Sequence, residues 1–108
     1  MPFCNIKSRP ELEVAPNAMT KTFWGENMLL SLIKLQPHTE VPTHRHTHEQ
    51  VGIVLEGEVL LWIGNEQCLL KSGDCFIVPS NVDHGACTEA SHSLIADIFS
   101  PIREEFIY

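Results

Sequence analysis

An antiparallel all-β sandwich or small barrel is the fold this sequence predicts. Three observations lead there. From residue 28 onward, apolar runs of four to eight residues recur at regular spacing, and no helical period separates them. Turn residues punctuate the runs, among them Gln36-Pro37-His38-Thr39, Ser72-Gly73-Asp74 and Pro79-Ser80-Asn81. Gly64-Asn65 sits between two runs as a two-residue hairpin signal.

The 108 residues make one domain with a single modest core. Residues 1–27 read as an N-terminal arm, interrupted by Pro2, Pro10 and Pro16, with one short strand around 21–25. The barrel core runs over 28–99. Its first strand is 28–35; strands 50–55 and 58–63 are joined at Glu56-Gly57; Gly64-Asn65 leads into 66–71. Strands 75–78, 84–88 and 92–99 complete a set of seven or eight. Residues 100–108 form a tail in which Pro101 takes the first position of a short helical turn.

Composition excludes several classes of partner. A net charge of −7, with only seven Lys and Arg and no basic run, argues against nucleic acid. No segment approaches the roughly 20 apolar residues that span a bilayer, so no membrane partner is expected. The first ten residues lack the apolar centre of a signal peptide, which points to the cytoplasm. Cys4, Cys68, Cys75 and Cys87 form no Cys-x-x-Cys pair and read as small buried thiols in a reducing compartment.

Chemistry concentrates in Pro42-Thr43-His44-Arg45-His46-Thr47-His48-Glu49-Gln50, where three of the six histidines alternate. Neutral imidazole is a common ligand for transition metals. On an extended strand, side chains two apart share a face, so His44 and His46 can reach one ion together, and Gln50 keeps their parity. Such nitrogen and oxygen donors suit a divalent zinc, manganese, iron or nickel ion alike. His48 shares the parity too, but a backbone turn at Thr47 is expected to leave it at the mouth, on the surface or against substrate. Asp97 shares its strand face with Ile95 and Phe99. It is either a solvent-facing acid or one polar group inside an apolar pocket, the way ligand pockets are generally built.

These residues resemble the cupin family. Its first motif, Gly-x5-His-x-His-x3-Glu-x6-Gly, is matched by His44, His46 and Gly57, with His38 for the first Gly and Gln50 for the Glu. Its second, Gly-x5-Pro-x-Gly-x2-His-x3-Asn, is matched by Gly73, Pro79 and His84, with Asn81 for Gly and Thr88 for Asn. Asn tolerates the left-handed backbone that such a turn needs. The resemblance implies a double-stranded β-helix, or jelly-roll, barrel in which His44, His46, Gln50 and His84 converge on one divalent metal. With a neutral amide in place of a carboxylate, such a site keeps the ion's full charge and attracts anions.

The run from Asp97 to Phe106 resembles the Asp-x-Phe-Ser-Pro-x-Arg-x-x-Phe segment of cupins that linearise 4,5-unsaturated uronates in pectin and alginate breakdown. That resemblance implies a small carboxylate-bearing sugar as substrate, Asp97 moving protons, Arg103 clamping a carboxylate and Phe99 lining the pocket. Two other readings stay open: a metal-dependent cupin dioxygenase, and a metabolite-binding cupin without catalysis. Small cupins also imply a homodimer, for which Phe3, Trp24, Trp62 and Phe106 offer aromatic surface.

Overall fold

Two sheets share one long strand, and that strand sets where every other element lies. The computed structural model describes residues 2–108. The strands are β1 (Leu12–Ala15), β2 (Ala18–Trp24), β3 (Leu29–Leu35), β4 (Glu40–His44), β5 (Glu49–Ile63), β6 (Glu66–Lys71), β7 (Cys75–Val78), β8 (His84–Cys87) and β9 (Ser93–Ser100). One sheet runs β1-β2-β3-β9-β5-β7 and the other β4-β8-β5-β6, with every neighbouring pair antiparallel. The result is the expected all-β, nearly closed barrel; among the described residues no helix is long and apolar enough to cross a membrane.

The predicted strands 50–55 and 58–63 are one strand. Glu56-Gly57 does not reverse the chain; the register against β9 shifts between Val54 and Glu56, a bulge that bends β5 from the first sheet into the second. Gly57 has φ 72°, and a Cβ there would fall on the carbonyl oxygen of His92, so only glycine fits the bend. The arm supplies two strands instead of one, because Asn17 (φ 64°) closes a tight β1–β2 hairpin after Pro16. Strand β4 had no sequence signal: its five residues include Pro42 and three polar side chains, and it survives as an edge strand beside β8. The expected left-handed turns are there, with His38 at φ 54° and Asn81 at φ 62°.

Inward alternation along the strands fills the space between the sheets. Leu35, Val54, Val59, Leu61 and Ile95 form the main core, and Leu29, Phe99 and Phe106 form a second cluster near the mouth. Phe106 is therefore buried against Phe99, with ring centroids 5.5 Å apart, and gives no surface for association. Trp62 is half covered as well: its indole lies across Gly85 and donates to Thr43 Oγ1 at 2.8 Å.

Two further expectations are corrected. Cys4, Cys68 and Cys75 are exposed and Cys87 is half-buried: Cys4 precedes the first strand, Cys75 stands on the outer face of β7 opposite Ile53, and Cys68 lies on β6, an edge strand that pairs only with β5. The helical turn of the tail spans Glu104–Phe106 and does not begin at Pro101; Ile102 first turns inward onto the Leu29–Phe99–Phe106 cluster, keeping the chain extended through Arg103. The tail is held by Thr22 Oγ1, which donates to the Phe106 carbonyl at 2.5 Å, and by Arg9, which donates to the Tyr108 carbonyl at 2.6 Å and stacks 3.8 Å from its ring.

Candidate metal centre and pocket

Three imidazoles meet at one end of the barrel from three different backbone settings. His44 ends β4 and lies directly across from His84, which opens β8. His46 sits in the loop beyond β4, so strand parity alone does not bring it in; its Nδ1 instead pairs with the carbonyl oxygen of His48 at 2.9 Å. His44 Nδ1 and His84 Nδ1 face the carbonyls of Pro42 (2.8 Å) and Val82 (2.9 Å) in the same manner. A ring nitrogen facing a carbonyl must be the N–H, which leaves each Nε2 as a bare lone pair.

Those lone pairs are free. His46 Nε2 and His84 Nε2 are buried with no hydrogen-bond partner, and the ligand atoms of His44, His46 and His84 all lie within 4.8 Å of one another. Burial, with Arg103 and His84 nearby, holds His46 down to about 4, and burial likewise lowers His84. Both rings are thus neutral donors at neutral pH, the state a metal requires. Uncompensated buried polar atoms are costly, and a divalent cation is the partner that three converging neutral imidazoles fit.

The facing wall comes from the first sheet. Gln50 and Phe99 are register partners, as are Gly52 and Asp97, one step further in. Gln50 Nε2 donates to Asp97 Oδ1 at 3.0 Å, while Gln50 Oε1 is buried without a partner. Asp97 is buried, which settles its orientation: it is the polar group on an apolar wall, between Ile95 and Phe99. Burial pushes its carboxyl up to about 7, against the opposing pull of the Gln50 hydrogen bond and the Arg103 charge.

Arg103 reaches back over this wall from the tail. Its guanidinium carbon lies 4.3 Å from the Phe106 ring centroid and 5.1 Å from that of Phe99. Its Nε donates to Glu105 Oε1 at 2.5 Å, which holds the Glu105 carboxyl below the usual range. Arg103 is thus ion-paired with Glu105 and also lines the pocket. His48 is half-buried with its ring 5.5 Å from His46, outside the cluster of three. The pocket encloses about 500 Å³ and changes character with depth: His44, His84, Gln50, Asp97 and Arg103 near the mouth, then Ile33, Leu35, Leu61, Ala86 and Ile95.

Two residues of the wall carried no functional signal in the sequence. A Cβ on Gly52 would lie 2.5 Å from Asp97 Oδ1 and closer still to the Phe76 ring, so glycine makes the room in which that carboxyl and that ring meet. Glycine inside a strand was the available hint; what it accommodates depends on partners from β7 and β9.

A small β-barrel with an inward histidine cluster and an open pocket is the architecture of cupins, and this chain belongs to that family: the Cupin domain model (Cupin_2) matches residues 31–94. It is 27% identical over 85 residues to the pectin degradation protein KdgF of Dickeya dadantii (strain 3937), covering 78% of this chain and 77% of that one. It is 38% identical over 72 residues to H2HPP isomerase of Bacillus subtilis, covering 64% of this chain but only 29% of the isomerase. Among solved structures, an RmlC-like cupin from Shewanella frigidimarina NCIMB 400 superposes with a TM-score of 0.92 at 28% identity, covering 99% and 96% of the two chains. KdgF from Halomonas sp. superposes at 0.86 with 26% identity, covering 94% and 95%.

Proposed function

We propose that this protein is a metal-dependent cupin enzyme that opens and isomerises the ring of a small carboxylate-bearing sugar, an unsaturated uronate. One observation carries the reading: a buried carboxyl with a pKa of about 7, Asp97, sits hydrogen-bonded to Gln50 on the wall facing three bare imidazole nitrogens. A group that titrates near neutrality can both take up and give back a proton, which ring opening followed by tautomerisation requires. The similarity to KdgF, a pectin degradation protein, and to an isomerase supports the same class of reaction.

His44, His46 and His84, with Gln50 Oε1, would hold the divalent metal, which when bound supplies Lewis-acid polarisation of a substrate oxygen. The rest falls to side chains. Arg103, whose terminal nitrogens have no partner among the described residues, binds the substrate carboxylate through its fork. Phe99 bounds the space for the ring, whereas His48 packs against His46 outside that lining. Asp97 takes the proton of the hemiacetal hydroxyl as the bond from the anomeric carbon to the ring oxygen breaks. That oxygen is left as an enolate, and delivery of the proton held by Asp97 to the neighbouring alkene carbon gives the ketone and restores the carboxylate. No atom is gained or lost.

The test follows the ring alkene's ultraviolet absorbance. Metal-loaded protein should accelerate its loss for a 4,5-unsaturated uronate, and Asp97→Asn should reduce turnover by about 10²- to 10⁴-fold while keeping its metal. Unchanged turnover in Asp97→Asn would sink the assignment. A second reading is favoured by the apolar stretch of the pocket lining formed by Ile33, Leu35, Leu61, Ala86 and Ile95: isomerisation of a carboxylate substrate bearing an apolar ring. Comparing KM for uronates with KM for cyclohexenyl or aryl keto acids separates the two.

A further inference from the structure

We propose that Glu105 is a specificity residue of this pocket: it holds the Nε edge of Arg103 and keeps a negative charge at the mouth. The pocket then accepts a single carboxylate, end-on to the guanidinium, and turns away ligands with a second anionic group. The inference rests on the reading of Arg103 as the carboxylate clamp. A guanidinium offers a carboxylate two forks, one from Nε with a terminal nitrogen, the other from the two terminal nitrogens. Glu105 Oε1 takes the first, 2.5 Å from Nε. The ring faces of Phe106 and Phe99, 4.3 and 5.1 Å from the guanidinium carbon, hold its plane. Edge and plane are both set, and the terminal fork is the one left open. Glu105 is itself well fixed. It lies in the turn Glu104–Phe106, where the Phe106 N–H donates to the Arg103 carbonyl at 2.9 Å and the Ile107 N–H to the Glu104 carbonyl at 3.0 Å. Phe106, the next residue, is buried, and Thr22 holds its carbonyl.

An ion pair on an open surface ordinarily does little. This one differs because its arginine is sunk: the Arg103 side chain is 14% exposed against 61% for Glu105. The glutamate stands between the guanidinium and solvent, and it lines the pocket. Charge points the same way. Among the described residues Arg103 is the one Lys or Arg in the pocket lining, and Glu105 already matches it. Glu13, exposed on β1, lines the same pocket and adds another negative charge. The hydrogen bond from Arg103, with His48 and His46 nearby, holds the Glu105 carboxyl below its usual range, so its charge persists at neutral pH. One carboxylate is bound by hydrogen bonds to the open fork. A second anionic group meets Glu105 and Glu13 with no further basic side chain to neutralise it, and repulsion of that kind is a source of specificity.

Calorimetric titration of the zinc-loaded chain with galacturonate and with galacturonate 1-phosphate reads the discrimination. The wild type should bind the first about tenfold or more tightly, and Glu105→Gln, which keeps an acceptor for Nε, should narrow the ratio to about threefold or less. Raising salt from about 20 to about 500 mM should narrow the wild-type ratio and leave that of the variant in place. A ratio indifferent to both changes overturns the proposal. Nitrogen–proton NMR spectra of the guanidinium, assigned through Arg103→Gln, read the direction of binding. Galacturonate should move the terminal nitrogen signals and leave Nε–H where it is; a moving Nε–H means that Glu105 is displaced, and overturns the positioning role. Galacturonate binding that is absent, or indifferent to Arg103→Gln, removes the clamp and this proposal with it. Binding that needs Arg103 while the ratio ignores Glu105→Gln removes the role of Glu105 alone.

Discussion

The two walls of the pocket are built on opposite logics. The histidine wall, from β4, β8 and the loop between β4 and β5, fixes each ring by a backbone carbonyl on Nδ1 and leaves Nε2 bare. Its chemistry is set by hydrogen bonds one atom away from the working nitrogen. The acid wall, from β5 and β9, fixes Asp97 by one amide and by crowding, and tunes it by burial. The difference teaches what each tolerates. The first needs backbone geometry and three imidazoles; the second needs dryness and space.

Breaking the histidine wall has the largest effect. His84→Ala removes one of three ring donors and should weaken metal binding by about a hundredfold or more, read by titration with zinc or manganese, and abolish turnover with it. On the acid wall, Gly52→Ala drives a methyl into Asp97 Oδ1 and the Phe76 ring. It should cut kcat by about 10- to 100-fold through displacement of the carboxyl, with metal content unchanged. A structural role alone would lower the melting temperature and leave the kcat of the folded fraction intact.

Gln50 belongs to both walls, and Gln50→Glu should split its two duties. Metal binding tightens by roughly tenfold from the added charge, while turnover drops because Asp97 loses its donor and gains a repelling neighbour. Both moving the same way would refute the division. The smallest effect is on stability. In metal-free protein, ionising buried Asp97 costs free energy above its folded pKa of about 7, and the cost fades as pH falls towards the usual carboxylate range. His46 and His84 act oppositely: their lowered folded values mean stability is lost as pH drops below 6.5, when the unfolded rings gain protons. Asp97→Asn should therefore raise the melting temperature at pH 8, with the gain vanishing by about pH 4.

How much of this was legible depended on whether the cause was local. The left-handed turns at His38 and Asn81, the Gly64-Asn65 hairpin and the alternation of β9 were visible because each rests on a few neighbouring residues. The inward orientation of Asp97 could be posed from its partners Ile95 and Phe99 but not decided without the opposing sheet. His44 and His46 were paired by strand parity; they do converge, but His46 does so from a loop, which no alternation rule describes. Strand β4 was hidden by Pro42. An apolar run does not by itself say which face is inner: Cys75 falls on the outer face of β7, and Cys68 falls on the uncovered edge strand β6.

The bend of β5 at Gly57 has a thermodynamic consequence. One continuous strand of 15 residues carries the acid wall at its start and then pairs with β8, whose first residue is His84. Neither sheet can melt without tearing the strand that belongs to the other, so heat should produce one transition and no half-folded barrel. Near the melting point, bound metal and a structured Asp97 should disappear together, at the same temperature and with the same enthalpy.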